Sequence, residues 1–132
     1  MVAGAALRTP LIAVILRRGY GLGAQAMAGG SLHEPALTVA WPGAHLGPMG
    51  LEGAVRLGMR KELDAIANEQ QREERVRIAT AAAQENAKAL NAAMLFEIDD
   101  VIDPAETRSV IASTLMATKK PAPVGSRFID TW

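Results

Sequence analysis

The chain has 132 residues, with 14 basic residues balanced by 14 acidic ones, 49% apolar and 4% aromatic residues, and no cysteine. One domain suits this length, and the apolar fraction is that of a globular protein. Balanced, scattered charge and few aromatics exclude a nucleic-acid surface, and the lack of cysteine excludes disulfides, thiolate catalysis and thiolate zinc sites.

The opening stretch, MVAGAALRTPLIAVIL, has one early positive charge, Arg8, and Pro10 interrupts its apolar run. It lacks the pattern of a secretory signal, and six apolar residues fall far short of a hydrocarbon core of ~30 Å. We expect no targeting or membrane-spanning segment, no membrane partner and a cytoplasmic location. Residues 11–16 are all apolar and rich in Ile and Val, which predicts a strand buried on both faces. Such a strand so near Met1 finds no earlier neighbour. The chain is therefore expected to be an incomplete domain, unstable or oligomeric in isolation.

Gly19, Gly21 and Gly23 predict a turn, followed by a short helix over residues 24–28 that Gly29 and Gly30 stop. Residues 37–41 read as a second strand ended by Pro42 and Gly43, and Gly47, Pro48 and Gly50 as a loop. A helix is predicted over residues 51–66. Leu51, Val55, Met59, Leu63 and Ile66 form its apolar stripe, with Glu52–Arg56 and Arg60–Asp64 as i,i+4 pairs.

Asn68 and Gln71 mark the N-cap of a second helix reaching about residue 93. Its seam is Val76, Ala79, Ala83, Ala87, Leu90 and Met94. Residues 96–102 predict a third strand with Phe96, Ile98 and Ile102 on one face. Asp103, Pro104 and Glu106 then open a helix to about residue 117. Residues 118–132 read as an irregular tail. This order of elements is α/β, with connections long enough for parallel pairing.

Three readings of the glycine turn stay open on local sequence. Gly19 to Ala24 fits the dinucleotide pattern G-x-G-x-x-A. However, Arg17 and Arg18 intervene after the strand, and the acidic residue expected ~20 positions on is absent. The same glycines could instead bring backbone N–H groups to a carbonyl that becomes an oxyanion. The third reading is a plain tight turn.

Asp99, Asp100 and Asp103 match D-D-x-x-D. On a strand, residues four apart stand ~13 Å apart, too far to share one ion, so no metal site is expected. His33 and His45 lie in loops with no partner evident in sequence. Met27, Met49 and Met59 read as packing, and residues 72–77, REERVR, as a solvated helix face.

Three stretches taken together, ILRRGYGLGAQAMAGG, LTVAWPGAHLGPMGLEGAVRLGMRKEL and EIDDVIDPAETRSVI, resemble one family from about Arg8 to Leu115. It is the carboxyltransferase (β) subunit of biotin-dependent acyl-CoA carboxylases, of the propionyl-CoA/acetyl-CoA carboxylase type. The resemblance implies a partial crotonase-like (ClpP/crotonase) fold of ββα units. Residues 1–132 would be the C-terminal part of the subunit's C-terminal domain, lacking the acyl-CoA half. In that family one half holds the acyl-CoA and the other holds carboxybiotin, delivered on a carrier protein rather than bound covalently. Carboxylate passes to the α-carbon of the thioester, and oxyanions develop on the thioester and on the biotin ureido group. By position in Y-G-L-G-A, the amides of Leu22 and Gly23 map to the biotin-side donors. Gly21 and Ala24 would shape that turn, and Trp41 would line the biotin pocket.

The implied partners are the missing half or a full-length subunit, the biotin carboxyl carrier and biotin carboxylase subunit, and an acyl-CoA. An oligomer is expected. The alternatives are a non-catalytic remnant that assembles with full-length carboxyltransferase, and a dinucleotide-binding fragment.

Overall fold

The computed structural model describes Leu7 and residues 9–118. Arg8, and the tail reading beyond residue 118, lie outside the described residues.

Two ββα units follow one another. In the first, β1 (Ile12–Ile15) and β2 (Arg18–Tyr20) lead into α1 (Gly21–Met27). In the second, β3 (Leu37–Ala40) and β4 (His45–Gly47) lead into α2 (Leu51–Gly58). Like strands pair in parallel, β1 with β3 and β2 with β4. A short β5 (Asp100–Val101) joins the far side of β3, giving the order β1-β3-β5. The α/β class is as the sequence predicts, but β2 and β4 replace what reads as turn and loop. Each has three residues and one glycine, and each exists because the other pairs with it.

The expectation that residues 11–16 are buried on both faces is not met. Ile12 to Ile15 are half-buried and Leu16 is exposed, because among the described residues β1 has a neighbour on one side only. The buried strand is β3, where Thr38, Val39 and Ala40 are all covered. Thr38 is a polar residue in this position, and its bonds are all made. Its hydroxyl donates to the Leu32 carbonyl at 2.6 Å and its N–H to Asp99 Oδ2 at 2.7 Å. Its carbonyl accepts from the Asp99 N–H at 2.9 Å.

Helix α3 (Arg60–Asp64) follows α2, so the single helix predicted over residues 51–66 is broken at Met59, whose φ is −100°. The apolar stripe survives the break. Val55 and Leu63 pack with Val76 of α4 (Glu69–Asn86), and Met59 and Ile66 flank them. Arg56 bonds Glu52 and also forks onto Glu73 at 3.0 and 2.7 Å, holding α2 to α4. The guanidinium keeps the Glu73 carboxyl below the usual carboxylate range. Both side chains are solvated, so this pair adds little stability. Arg60 and Asp64 approach at 3.8 Å. Asn68 caps α4, accepting from the Gln71 N–H at 3.1 Å.

The helix predicted to run on to residue 93 stops at Asn86 and restarts as α5 (Ala89–Met94). The break has a tertiary cause. The Leu46 N–H donates to the Ala87 carbonyl at 2.7 Å, and the Ala89 N–H to the Ala44 carbonyl at 2.9 Å. These backbone groups leave the helix to pair beside β4. The restart shifts the helical phase, so Leu90 and Met94 of the predicted seam are exposed. Ala89 and Ala92 turn inward instead, onto Ala40, Ala44, Leu46 and Ile98.

The predicted strand over residues 96–102 shrinks to β5. Ile98 and Ile102 are buried, but Phe96 is 85% exposed. Phe96 ends α5. Its N–H donates to the Ala93 carbonyl at 3.0 Å, and the Glu97 N–H to the Ala92 carbonyl at 2.9 Å. This paired closure needs a left-handed residue, and Phe96 has φ +59°. The same closure ends α1 with Gly29 at φ +86°, where no side chain is strained. Replacing Phe96 with glycine should therefore raise the stability of the isolated chain by about 0.5–1 kcal/mol, the left-handed penalty less the added freedom of unfolded glycine. Urea unfolding of Phe96→Gly checks this, and a lower midpoint would mean that the ring is bound elsewhere.

Asp103 caps the turn Pro104–Glu106 by accepting from the Ala105 N–H at 2.8 Å. Helix α6 (Thr107–Ala117) continues from it, with the end predicted from sequence.

Candidate functional site

Strand β2 runs directly into α1. Tyr20, at the cap, is extended, and no side chain caps the helix start. The first N–H groups of a helix have no partner within it, so the amides of Leu22 and Gly23 fall among the unpaired donors. Gly21 is the residue at which the chain turns. It has φ +63°, and a Cβ there would lie 3.1 Å from the Pro48 carbonyl oxygen. Gly23 has no such constraint, since a Cβ on it would meet nothing within 4 Å. Gly19 lies within β2 rather than in a turn, which removes the tight turn that the dinucleotide reading requires.

Two clefts flank α1. One, of about 560 Å³, is lined by Gly21, Leu22 and Gln25 from the helix, together with Ser31, His33 and Glu97. Its far wall is β4 and the residues following, Leu46 to Pro48. The other, of about 680 Å³, runs along β1 and is lined on the helix side by Gly23 and Met27. Ala24 lines both. Successive helical residues are ~100° apart around the axis, so Leu22 and Gly23 front different clefts. Their amides nevertheless point the same way, along the axis toward Tyr20.

Trp41 lines neither cleft. Its N–H donates to the Ile15 carbonyl at 3.0 Å, and its indole Nε1 to Thr107 Oγ1 at 3.0 Å, so it ties the end of β3 to the start of α6. His45 is in β4 rather than a loop, and its N–H donates to the Arg17 carbonyl at 2.9 Å. His33 is in a loop as predicted, but it faces the smaller cleft, with its N–H bonded to Ser31 Oγ at 3.2 Å. Ser31, Gln25 and Glu97 were not singled out in sequence. Gln25 had a signal, standing three and four residues beyond Leu22 and Gly21 on one helix face. Glu97 had none, because only the fold brings it there.

The three aspartates of D-D-x-x-D have separate tasks. Asp99 accepts from the Thr38 N–H, Asp100 from the Val101 N–H and Asp103 from the Ala105 N–H. Among the described residues no three His, Asp or Glu lie close enough to hold a metal ion. No described helix is long and apolar enough to cross a membrane.

The sequence profile named Carboxyl transferase domain matches residues 1–127. The methylmalonyl-CoA carboxyltransferase 12S subunit of Propionibacterium freudenreichii subsp. shermanii is 40% identical over 118 residues, covering 84% of this chain and 21% of that subunit. The structure of a single-chain, multi-domain long-chain acyl-CoA carboxylase superposes with a TM-score of 0.73 and 52% identity, over 86% of this chain and 11% of that one. The transcarboxylase 12S hexamer, with methylmalonyl-CoA and methylmalonic acid bound, gives a TM-score of 0.69 and 32% identity, over 96% of this chain and 24% of that one. The chain therefore spans about a fifth of the 12S subunit's length.

Proposed function

This chain belongs to the Carboxyl transferase domain family, its ββα units forming part of the crotonase-like carboxyltransferase fold, and we propose that it is the biotin-side segment of an acyl-CoA carboxyltransferase. On this reading residues 1–132 correspond to the C-terminal part of the subunit's C-terminal domain. Further carboxyl transferase sequence supplies the acyl-CoA side, as one chain or as an oligomeric partner, in the cytoplasm. The acceptor is the α-carbon of a short acyl-CoA, propionyl-CoA or acetyl-CoA. The names of the relatives range from methylmalonyl-CoA to long-chain acyl-CoA, and chain-length selection is assigned to the acyl-CoA side.

Biotin, carried on a separate protein, would supply carboxylate from its ureido group. The observation that supports a place for it here is the uncapped start of α1 beside the smaller cleft, whose lining includes the side chains of Gln25, Ser31 and Glu97. A ureido oxygen is a neutral acceptor that gains charge as CO2 leaves and the N–C bonding pair stays on the ureido group, and unpaired main-chain donors suit that change. Leu22 and Gly23 would donate to it from N–H groups already fixed by the helix, so no reorganisation is needed during reaction. Gly21 would set the turn that aims them. Gln25 and Ser31 would hold the remainder of the ring by hydrogen bonds. A donor of this kind is worth ~3 kcal/mol of barrier.

A second reading, a non-catalytic partner of full-length carboxyltransferase, draws on the small share of its relatives that the chain spans. Co-expression separates the two. The full chain is produced with the 12S subunit lacking its matched residues, and biotin-dependent transfer to propionyl-CoA and acetyl-CoA is assayed. Transfer that needs both chains is the expected result. A stable complex without transfer would leave the non-catalytic reading.

A further inference from the structure

One charged side chain of the smaller cleft has no part in holding the ureido oxygen. Glu97 lines the cleft from a distant part of the chain, and its mount is rigid. The Glu97 N–H donates to the Ala92 carbonyl at 2.9 Å in the closure that ends α5, and the next residue, Ile98, is buried. The backbone is thus fixed beneath an exposed carboxylate. The ion pairs among the described residues all lie within residues 52–88, so none of them uses Glu97.

The groups around the cleft differ in what they can do. The start of α1 offers unpaired N–H donors. Gln25 and Ser31 can donate or accept, and Ser31 Oγ already accepts from the His33 N–H at 3.2 Å. A carboxylate only accepts, and among the described residues Glu97 is the lining side chain of that kind. A cyclic urea needs both kinds of partner. Its oxygen accepts, and its ring N–H, set to one side of that oxygen, donates. A ring whose oxygen rests on the donors of α1 therefore needs an acceptor from another element.

We propose that Glu97 accepts a hydrogen bond from the ureido ring N–H that does not take up carboxylate. The cleft then recognises a cyclic urea by donors at its oxygen and an acceptor at its nitrogen. The proposal rests on the biotin reading above. The charge has a second consequence. A carboxylate attracts the N–H of the neutral ring but repels an oxyanion forming nearby. Glu97 should therefore strengthen binding without speeding transfer.

Biotinamide, which has no carboxylate of its own, is the probe. Titrated into the 132-residue chain and followed by amide resonances, it should shift Leu22 and Gly23. Glu97→Ala should weaken that binding by about tenfold, the scale of one hydrogen bond to a charged group. Glu97→Gln keeps an acceptor and should weaken it less. Both variants should keep the parent's thermal midpoint. A second probe is the analogue with a ring oxygen in place of that N–H. It should bind the parent about tenfold more weakly than biotinamide does, while Glu97→Ala should not distinguish the two, since the pairwise interaction is gone. In the reconstituted complex, transfer from methylmalonyl-CoA to free biotinamide should show a KM for biotinamide raised about tenfold in Glu97→Ala, with kcat within about twofold.

Equal affinity of the parent and Glu97→Ala for biotinamide overturns the proposal, and so does a Glu97→Ala chain that still prefers biotinamide to the ring-oxygen analogue. Either result gives the N–H to another acceptor, such as the Pro48 carbonyl beside Gly21. Shifts at Leu22 and Gly23 would then still support the biotin reading. Binding that depends on Glu97 but leaves Leu22 and Gly23 unshifted does the reverse, removing the donors and keeping the acceptor. No binding, to the chain alone or to the reconstituted complex, overturns both.

Discussion

Gly23→Val should slow carboxyl transfer in the reconstituted complex by about a hundredfold or more while leaving the chain folded. The rate effect is that of losing one donor to a developing oxyanion. The fold should tolerate the change because a Cβ on Gly23 meets nothing within 4 Å and the backbone there is helical. What the valine adds is a branched side chain beside the amides at the start of α1, on the side of the larger cleft. Gly21→Val is expected to lose activity for another reason. At φ +63°, with a Cβ 3.1 Å from the Pro48 carbonyl, it strains the turn itself. The pair is therefore separated by thermal midpoint, unchanged for Gly23→Val and lowered for Gly21→Val. Leu22→Ala should change the rate little, because its contribution is an amide and its side chain is 70% exposed. His33→Ala and His45→Ala should stay within a few-fold of the parent rate, since neither is assigned a proton to carry. Loss of transfer in a histidine variant, together with an unimpaired Gly23→Val, would remove the donor assignment from α1.

What could be read from the sequence divides along local and non-local physics. The Asn68 and Asp103 caps, the Glu52–Arg56 pair and the stripe from Val55 to Ile66 were legible because each depends on residues within one or two turns of each other. Strands β2 and β4 were not, because neither has enough residues to show a period and each is defined by the other. The break at Ala87 and Lys88 was invisible for the same reason. Nothing in an alanine-rich helical run announces that Leu46 will take the Ala87 carbonyl. At the site, the glycine turn showed itself through composition. The cleft did not, because Glu97 and the residues after β4 arrive from distant parts of the chain. Trp41 was named through the resemblance, and its indole bonds Thr107 through a contact that only the fold makes.

The largest stability losses are expected at the one buried polar residue of β3 and its partner. Thr38 is 1% exposed, and its hydroxyl is the donor to the Leu32 carbonyl. Thr38→Val keeps the shape and removes that donor, leaving a part-buried carbonyl unpaired at a cost of about 1–3 kcal/mol. Asp99→Ala should cost a similar ~1–3 kcal/mol, because the Thr38 N–H loses its acceptor in the interior of the sheet. Asp99→Asn retains an amide oxygen in the same place and should lose less than half as much. The effect extends to the site. Leu32 stands between Ser31 and His33 in the wall of the smaller cleft, so the Thr38 hydroxyl anchors the loop that presents both. Urea unfolding should show lower midpoints with unchanged slopes for Thr38→Val and Asp99→Ala. Hydrogen exchange should show faster opening of residues 31–33 in Thr38→Val but not in Asp99→Asn. Equal losses for Asp99→Ala and Asp99→Asn would mean that the carboxylate's charge, rather than its hydrogen bond to β3, holds this part of the sheet.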